Sequence, residues 1–277
     1  MQLGIFAKTF DAQGAVPVLR AVAEAGYATA QFNLACLGLP SMPDRIEPEV
    51  AASVGAAAGQ TGVGIAAVSG TYNMIHPDPA VRRAGLARLE VLCAAASAMG
   101  TRLVTLCTGT RDAEDQWRWH PDNASPEAWR DLLAEMTAAA ALAERHDVEL
   151  GIEPELANVV SSAVRARRLI DEIDSARLRI VLDPANLFEV AEEDERRTIV
   201  ARAVDLLAGD IALAHAKDRH ADGSFATAGQ GVVDFAHFVG RLRAAGFDGP
   251  LVTHGLAAAE APGVATFLQR VIAEAAA

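Results

Sequence analysis

Gly-Ile-Glu-Pro-Glu, residues 151–155, ends an apolar run with a carboxylate, Glu153, immediately before a proline. Three more apolar runs downstream end in a group that can bind a metal. Val-Leu-Asp-Pro-Ala-Asn (181–186) delivers Asp183, Ala-His-Ala-Lys-Asp (214–218) delivers His215, and Leu-Val-Thr-His-Gly (251–255) delivers His254. These groups are 30, 32 and 39 residues apart. That is close to one strand-plus-helix unit of a (β/α)8 barrel, in which eight units take roughly 250 residues. Barrel active sites are built at the C-terminal ends of such strands. Four oxygen and nitrogen donors converging there predict a divalent metal, with Glu153, Asp183, His215 and His254 as ligands.

Outward from these segments, short apolar stretches alternate with longer Ala/Leu/Arg/Glu stretches. The pattern predicts strands near 3–7, 28–34, 64–69, 102–107, 149–153, 179–183, 211–215 and 250–254. Helices are predicted near 15–25, 47–59, 79–99, 126–146, 161–173, 195–208, 234–245 and 262–275. Eight strands alternating with eight helices give an α/β fold, a (β/α)8 TIM barrel. No Pro/Gly/Ser-rich linker divides the chain, so residues 1–277 read as one domain. Asp78-Pro79 and Ser125-Pro126 each supply an N-cap followed by proline at the first helical position. Asp234 caps the run that Gly246 stops. An open doubly wound sheet would need a Gly-rich phosphate turn after its first strand. Here that strand leads into Ala7-Lys8-Thr9-Phe10-Asp11, and Gly-Val-Gly (62–64) precedes a strand instead.

Composition narrows the function classes. The net charge is −12, which argues against nucleic-acid binding, since phosphates call for a cationic surface. The longest apolar stretches, such as 132–143, are interrupted by Glu, Arg or Gly and fall short of the ~20 residues of a membrane span. Met-Gln-Leu-Gly-Ile-Phe-Ala-Lys at the start reads as a strand, not as a signal peptide. Cys36, Cys93 and Cys107 are odd in number and form no Cys-x-x-Cys, so a reducing cytoplasm is the expected compartment.

Each candidate also has a plainer reading. Glu153 and Glu155 flank Pro154; Glu153 is a ligand with Glu155 beside it or touching substrate, or the two are solvated carboxylates at a strand end. Asp183 is a ligand or the cap of the next helix. Asn186 is placed to hydrogen-bond a ligand or a substrate hydroxyl. His215 is a ligand or a satisfied interior histidine, and Lys217 beside it suits an anionic substrate or a developing enolate oxygen. His254 ligates metal, moves a proton, or hydrogen-bonds in the barrel mouth. All three tryptophans lie between 117 and 129. Trp117 and Trp119 form a lid over a sugar, with Arg111 or Arg118 holding an anionic group; alternatively they plug the loop or make a contact in a homo-oligomer. Trp129 reads as core. His76 reaches the pocket or organises the loop before Asp78. Gly229-Gln230-Gly231 is a phosphate turn or simply a flexible one. Cys107 ends the fourth strand without an adjacent base to make it a nucleophile.

With these residues in place, the chain resembles the xylose-isomerase-like TIM-barrel superfamily, specifically the proteins called sugar phosphate isomerases/epimerases. The similarity spans essentially the whole chain. It is clearest in Thr-Gly-Thr-Arg-Asp (108–112), Gly-Ile-Glu-Pro-Glu (151–155), Leu-Asp-Pro-Ala-Asn (182–186), His-Ala-Lys-Asp (215–218), Gly-Gln-Gly-Val-Val-Asp-Phe (229–235) and Gly-Phe-Asp-Gly-Pro-Leu (246–251). The resemblance implies one divalent ion, Mn²⁺ foremost with Zn²⁺, Co²⁺, Fe²⁺ or Mg²⁺ as alternatives. In the family it is held by Glu, Asp, His and Glu at the mouths of strands five to eight. Glu153, Asp183 and His215 match the first three positions, and His254 stands where the second glutamate is expected. Asn186 replaces a histidine that ketose epimerases carry after the aspartate. The two metal-bound glutamates of those epimerases shuttle a proton; Glu153 keeps one such role here, and His254 or another group becomes its catalytic partner.

The expectation is a metal-dependent isomerase or epimerase of a small carbohydrate-like substrate, acting through an enediolate. Arg111, Trp117, Glu155, Asn186, Lys217 and His76 are the candidate substrate contacts. The competing readings are a metal-dependent lyase or hydrolase and a non-catalytic sugar-binding barrel.

Overall fold

The computed structural model describes residues 1–276. Its elements run β1 (Gln2–Phe6), α1 (Ala15–Glu24), β2 (Thr29–Phe32), α2 (Pro48–Thr61), β3 (Gly64–Ser69), α3 (Pro79–Ala96), β4 (Leu103–Cys107), α4 (Pro126–His146) and β5 (Glu149–Glu153). They continue with α5 (Ala163–Ile173), β6 (Leu178–Leu182), α6 (Glu193–Leu207), β7 (Ile211–Ala216), a two-residue hairpin of β8 (Asp218–Arg219) and β9 (Phe225–Ala226), α7 (Phe235–Ala244), β10 (Pro250–Thr253) and α8 (Ala261–Glu274). Strands β1 to β7 and β10 close into a parallel barrel. Closure pairs Leu3 with Leu251 and Gly4 with Val252.

Alternate residues of each strand point to opposite faces, so the barrel has two apolar layers. Ala67, Leu103, Val181, Leu213 and Val252 fill the interior, with Phe6 against them. Their strand neighbours, such as Val104, Ile152 and Ile180, join the larger layer under the helices. Gly151 belongs to the interior set: a Cβ there would stand 2.8 Å from Val181 Cγ2 and 3.2 Å from Leu103 Cδ1.

The predicted caps form. Asp78 accepts from Ala80 N at 2.7 Å, Ser125 from Ala128 N at 3.1 Å and Asp234 from His237 N at 2.9 Å. Trp129 is buried in the core, its indole donating to Glu172 Oε2 at 2.9 Å. The β8–β9 hairpin was not expected, because two-residue strands leave no periodicity to read. All three cysteines are free and buried. Burial pushes the Cys93 thiol up to about 12, which suits inert core residues and not nucleophiles. Among the described residues, no helix is long and apolar enough to cross a membrane.

Candidate metal centre and its mouth

Four barrel strands bring the four predicted donors together. Glu153 is the last residue of β5, His215 lies near the end of β7, and Asp183 and His254 directly follow β6 and β10. One ligand atom from each lies within 4.8 Å of the others. Asp183 and His215 are fully buried.

Asp183 caps the next turn and still leaves one carboxylate oxygen for the cluster. Its Oδ1 caps the turn Pro184–Asn186 by accepting from Ala185 N at 2.9 Å. Its Oδ2 is turned to the site, 3.3 Å from His254 Nε2 and 3.4 Å from Lys217 Nζ. Burial pushes this carboxyl up, but Lys217 and His254 more than offset it and hold it well below the usual range.

Both ring nitrogens of His215 face acceptor oxygens: Nδ1 is 3.1 Å from Glu153 Oε1 and Nε2 is 3.0 Å from Gln31 Oε1. Gln31 spends its amide protons on Ser69 Oγ (3.2 Å) and Thr105 Oγ1 (3.0 Å), so its oxygen receives the Nε2–H. A neutral imidazole has one N–H. Its Nδ1 lone pair then opposes the Glu153 carboxylate unless a cation or a second proton lies between them. Two carboxylates and two imidazoles around that opposition are a donor set suited to a divalent ion. An N–H held by an outer acceptor is the usual way a ligating histidine is oriented.

Asn186 organises the carboxylates. Its Nδ2 donates to Glu155 Oε1 at 2.7 Å and Glu153 Oε1 at 2.8 Å, while its Oδ1 accepts from Lys217 Nζ at 3.0 Å. Burial and the neighbouring Glu153 charge push Glu155 up to about 8, whereas Glu153 itself is lowered, its contact with His215 more than offsetting burial. Burial works against the charge on Lys217, but Asp183, Glu155 and Glu153 raise its proton affinity above the ordinary value. The His254 imidazole stacks on Phe6 at 4.5 Å, and burial holds its proton affinity below the ordinary value.

Above the cluster opens a cavity of about 440 Å³ whose walls include Glu155, Lys217, Trp117, Trp119, Arg219 and Phe225. Trp117 and Trp119 keep 48% and 62% of their surface exposed, so they face this mouth instead of plugging the core. Arg111 is not brought there. Its guanidinium is tied to Asp131 Oδ2 at 2.6 Å and the Ile75 carbonyl at 3.0 Å. Arg118 is likewise spent, on both oxygens of Asp112. His76 organises its own loop: Nε2 lies 3.0 Å from the Ala113 carbonyl and Nδ1 accepts from Asp78 N. It lines a separate cavity of about 600 Å³ with Tyr72, Asn73 and Asp112. These three side chains hold loops because carboxylates and carbonyls close by already engage them.

Gln31, Phe6 and Arg219 escaped the sequence reading. Gln31 alone carried a signal, an amide inside the strand Thr-Ala-Gln-Phe that is 3% exposed.

Residues 19–268 match the family described as xylose isomerase-like TIM barrel. The chain belongs to this family. No curated protein matches it. Among solved structures, this xylose isomerase-like barrel is similar to 3-keto-D-glucoside 4-epimerase, YcjR, from E. coli. The two share 18% identity at a TM-score of 0.78, over 98% of this chain and 99% of that one. An L-ribulose 3-epimerase gives 18% identity and a TM-score of 0.78, over 99% and 95% of the two chains. A D-psicose 3-epimerase from Clostridium cellulolyticum H10, solved with D-tagatose, gives 15% identity and a TM-score of 0.74, over 98% and 99%.

Proposed function

We propose that this xylose isomerase-like barrel is a divalent-metal-dependent isomerase or epimerase of a sugar or sugar derivative. The observation that carries the reading is the convergence of Glu153, Asp183, His215 and His254 at the C-terminal mouth of the barrel. The epimerase names of the three similar structures support the reaction class. Glu153, Asp183, His215 and His254 would hold the ion, with Mn²⁺ the first candidate. When bound, it supplies Lewis-acid polarisation of a carbonyl and its neighbouring hydroxyl, which acidifies the α-carbon proton.

The chain's own residues do the rest. Glu153 takes the α-carbon proton, leaving the substrate as an enediolate. Asn186 fixes the Glu153 carboxylate by donating to Oε1. Lys217 sets a buried positive charge beside the oxygens on which negative charge develops. The enediolate then regains a proton, either the one Glu153 holds or one that His254 relays from solvent while Glu153 releases its own to solvent; in that second role His254 would not also ligate the ion. Return to the same carbon is epimerisation, and return to its neighbour is isomerisation. Trp117 covers the bound sugar at the mouth.

Metal analysis and solvent exchange test the reading. The purified protein is expected to contain a divalent ion or to gain thermal stability with Mn²⁺, Co²⁺ or Zn²⁺. A turned-over sugar recovered from D₂O should carry deuterium at the reacting carbon. Turnover without label in recovered substrate would point to elimination or hydrolysis instead.

A further inference from the structure

Arg219 is a buried cation with no carboxylate in ion-pair contact among the described residues; the charges of Glu189, Asp183 and Glu155 reach it only from farther off. It is 6% exposed. Its Nε donates to the Ala185 carbonyl at 3.0 Å and its Nη1 to the Gly223 carbonyl, while Nη2 has no acceptor among the described residues. A guanidinium keeps its charge at any ordinary pH, and charges this buried are normally paired. Arg219 lines the cavity above the metal ligands. There its guanidinium packs 4.3 Å from the Phe225 ring, which also contacts Lys217 Nζ at 4.0 Å. The open side of the guanidinium therefore faces a chamber with exposed aromatic walls, the setting in which a sugar ring stacks and an anion is gripped.

The neighbouring loop says which anion. Gly229-Gln230-Gly231 reads in the sequence as a candidate phosphate turn, but its donors are already used. Gly229 N and Gly231 N both donate to Asp218 Oδ2 at 2.9 Å, and Val233 N donates to Asp218 Oδ1 at 2.9 Å. A Cβ on Gly231 would collide with that carboxylate, so the glycine serves the wrap around Asp218. Glu189 lines the same cavity as Arg219; its charge opposes every added negative charge and so weighs more against a phosphate dianion than against a carboxylate. One guanidinium with an open side matches a carboxylate, which it can grip by a charge-assisted hydrogen bond.

We propose that the ligand of this cavity is a sugar carrying a carboxylate, not a phosphate, and that Arg219 binds that carboxylate. The proposal rests on the isomerase/epimerase reading only in taking the ligand to be a sugar derivative. It is tested by calorimetric titration of the Mn²⁺-supplemented full chain with D-glucuronate, D-glucose 6-phosphate and D-glucose. Wild type is expected to bind glucuronate about ten-fold or more tighter than glucose and no more weakly than the phosphate. In Arg219→Gln the preference for glucuronate should fall close to unity. Arg219→Lys, which keeps a charge for folding, should lose most of it because the planar fork is gone. The proposal is overturned by no preference for glucuronate over glucose in wild type, by a preference for the phosphate, or by full retention of the preference in either variant. Glu153→Gln separates the two readings: it should abolish turnover and keep the glucuronate preference. Loss of the isomerase reading would appear in wild type, as absent solvent exchange with the glucuronate preference intact.

Discussion

His254 Nε2 stands 3.3 Å from Asp183 Oδ2, the oxygen that the helical-cap role of Asp183 leaves unused. The division of labour is physical. One carboxylate oxygen fixes the backbone turn after β6, and the other is presented rigidly to the site. His254 is in turn clamped by stacking on Phe6. A histidine so held at the end of β10 is placed to ligate.

His254→Gln is therefore expected to lower Mn²⁺ affinity by at least about 100-fold, since loss of even an outer partner of a ligand costs roughly 10–100-fold. Competition with a chelating dye measures it. Unchanged affinity would remove His254 from the ligand set and leave it a proton-transfer role alone.

The contact between Gln31 and His215 yields a second expectation. Gln31 Oε1 is the acceptor that keeps the His215 Nε2 proton in place. Gln31→Leu should free the ring and weaken metal binding by about 10–100-fold with little change in far-UV circular dichroism. Equal metal affinity in variant and wild type would mean that the ring is oriented by packing alone.

The four clustered donors and Arg219 differ in how visible they are in the sequence. Glu153, Asp183, His215 and His254 each close an apolar run, and the run fixes both strand identity and the end at which the polar group sits. Strand ends in a barrel converge, so local pattern was enough to place all four. Gln31 meets His215 across 184 residues, and nothing local announces such a pairing. Arg219 sits in a hairpin too short for periodicity, beside a loop whose glycines read as a phosphate turn or a flexible one. Arg111 was the converse case. An arginine after a strand end suits an anion site, but Asp131, on α4, claims it. Partner choice among charged side chains depends on tertiary packing, which the spacing of residues along the chain does not encode.

The Asp131 cluster should show in acid. Burial pushes the Asp131 carboxyl up, but the hydrogen bond from Arg111 and the charges of Arg82 and Arg111 more than offset this and hold it below its ordinary value. A depressed folded-state pKa contributes stability above the unfolded value, near 3.9 for aspartate, and that contribution is lost as pH falls through the folded value. Asp131→Asn should accordingly melt below wild type at neutral pH. The gap between the two melting temperatures should close below about pH 4, because wild type then loses the same charge. Calorimetry across the acid range checks this, and a gap that stays constant with pH would place the effect in packing instead of ionisation.

Gly151 tests the barrel interior directly beneath the site. Its missing side chain lets Leu103 and Val181 meet inside the barrel, two residues before Glu153 on the same strand. An added Cβ would press on Val181 Cγ2 at 2.8 Å, with Leu103 Cδ1 at 3.2 Å. The Val181 side chain is β-branched and fully buried, so it has little freedom to turn away. Overpacking of this kind costs about 1–3 kcal/mol. Gly151→Ala should show that loss in urea unfolding with an unchanged m-value. Because β5 carries Glu153, the strain should also reach the metal site and weaken Mn²⁺ binding in the same variant. Val181→Ala on that background removes the clashing methyls and should recover part of both losses. No recovery of metal affinity in the double variant would show that the interior layer and the ligand above it are mechanically independent.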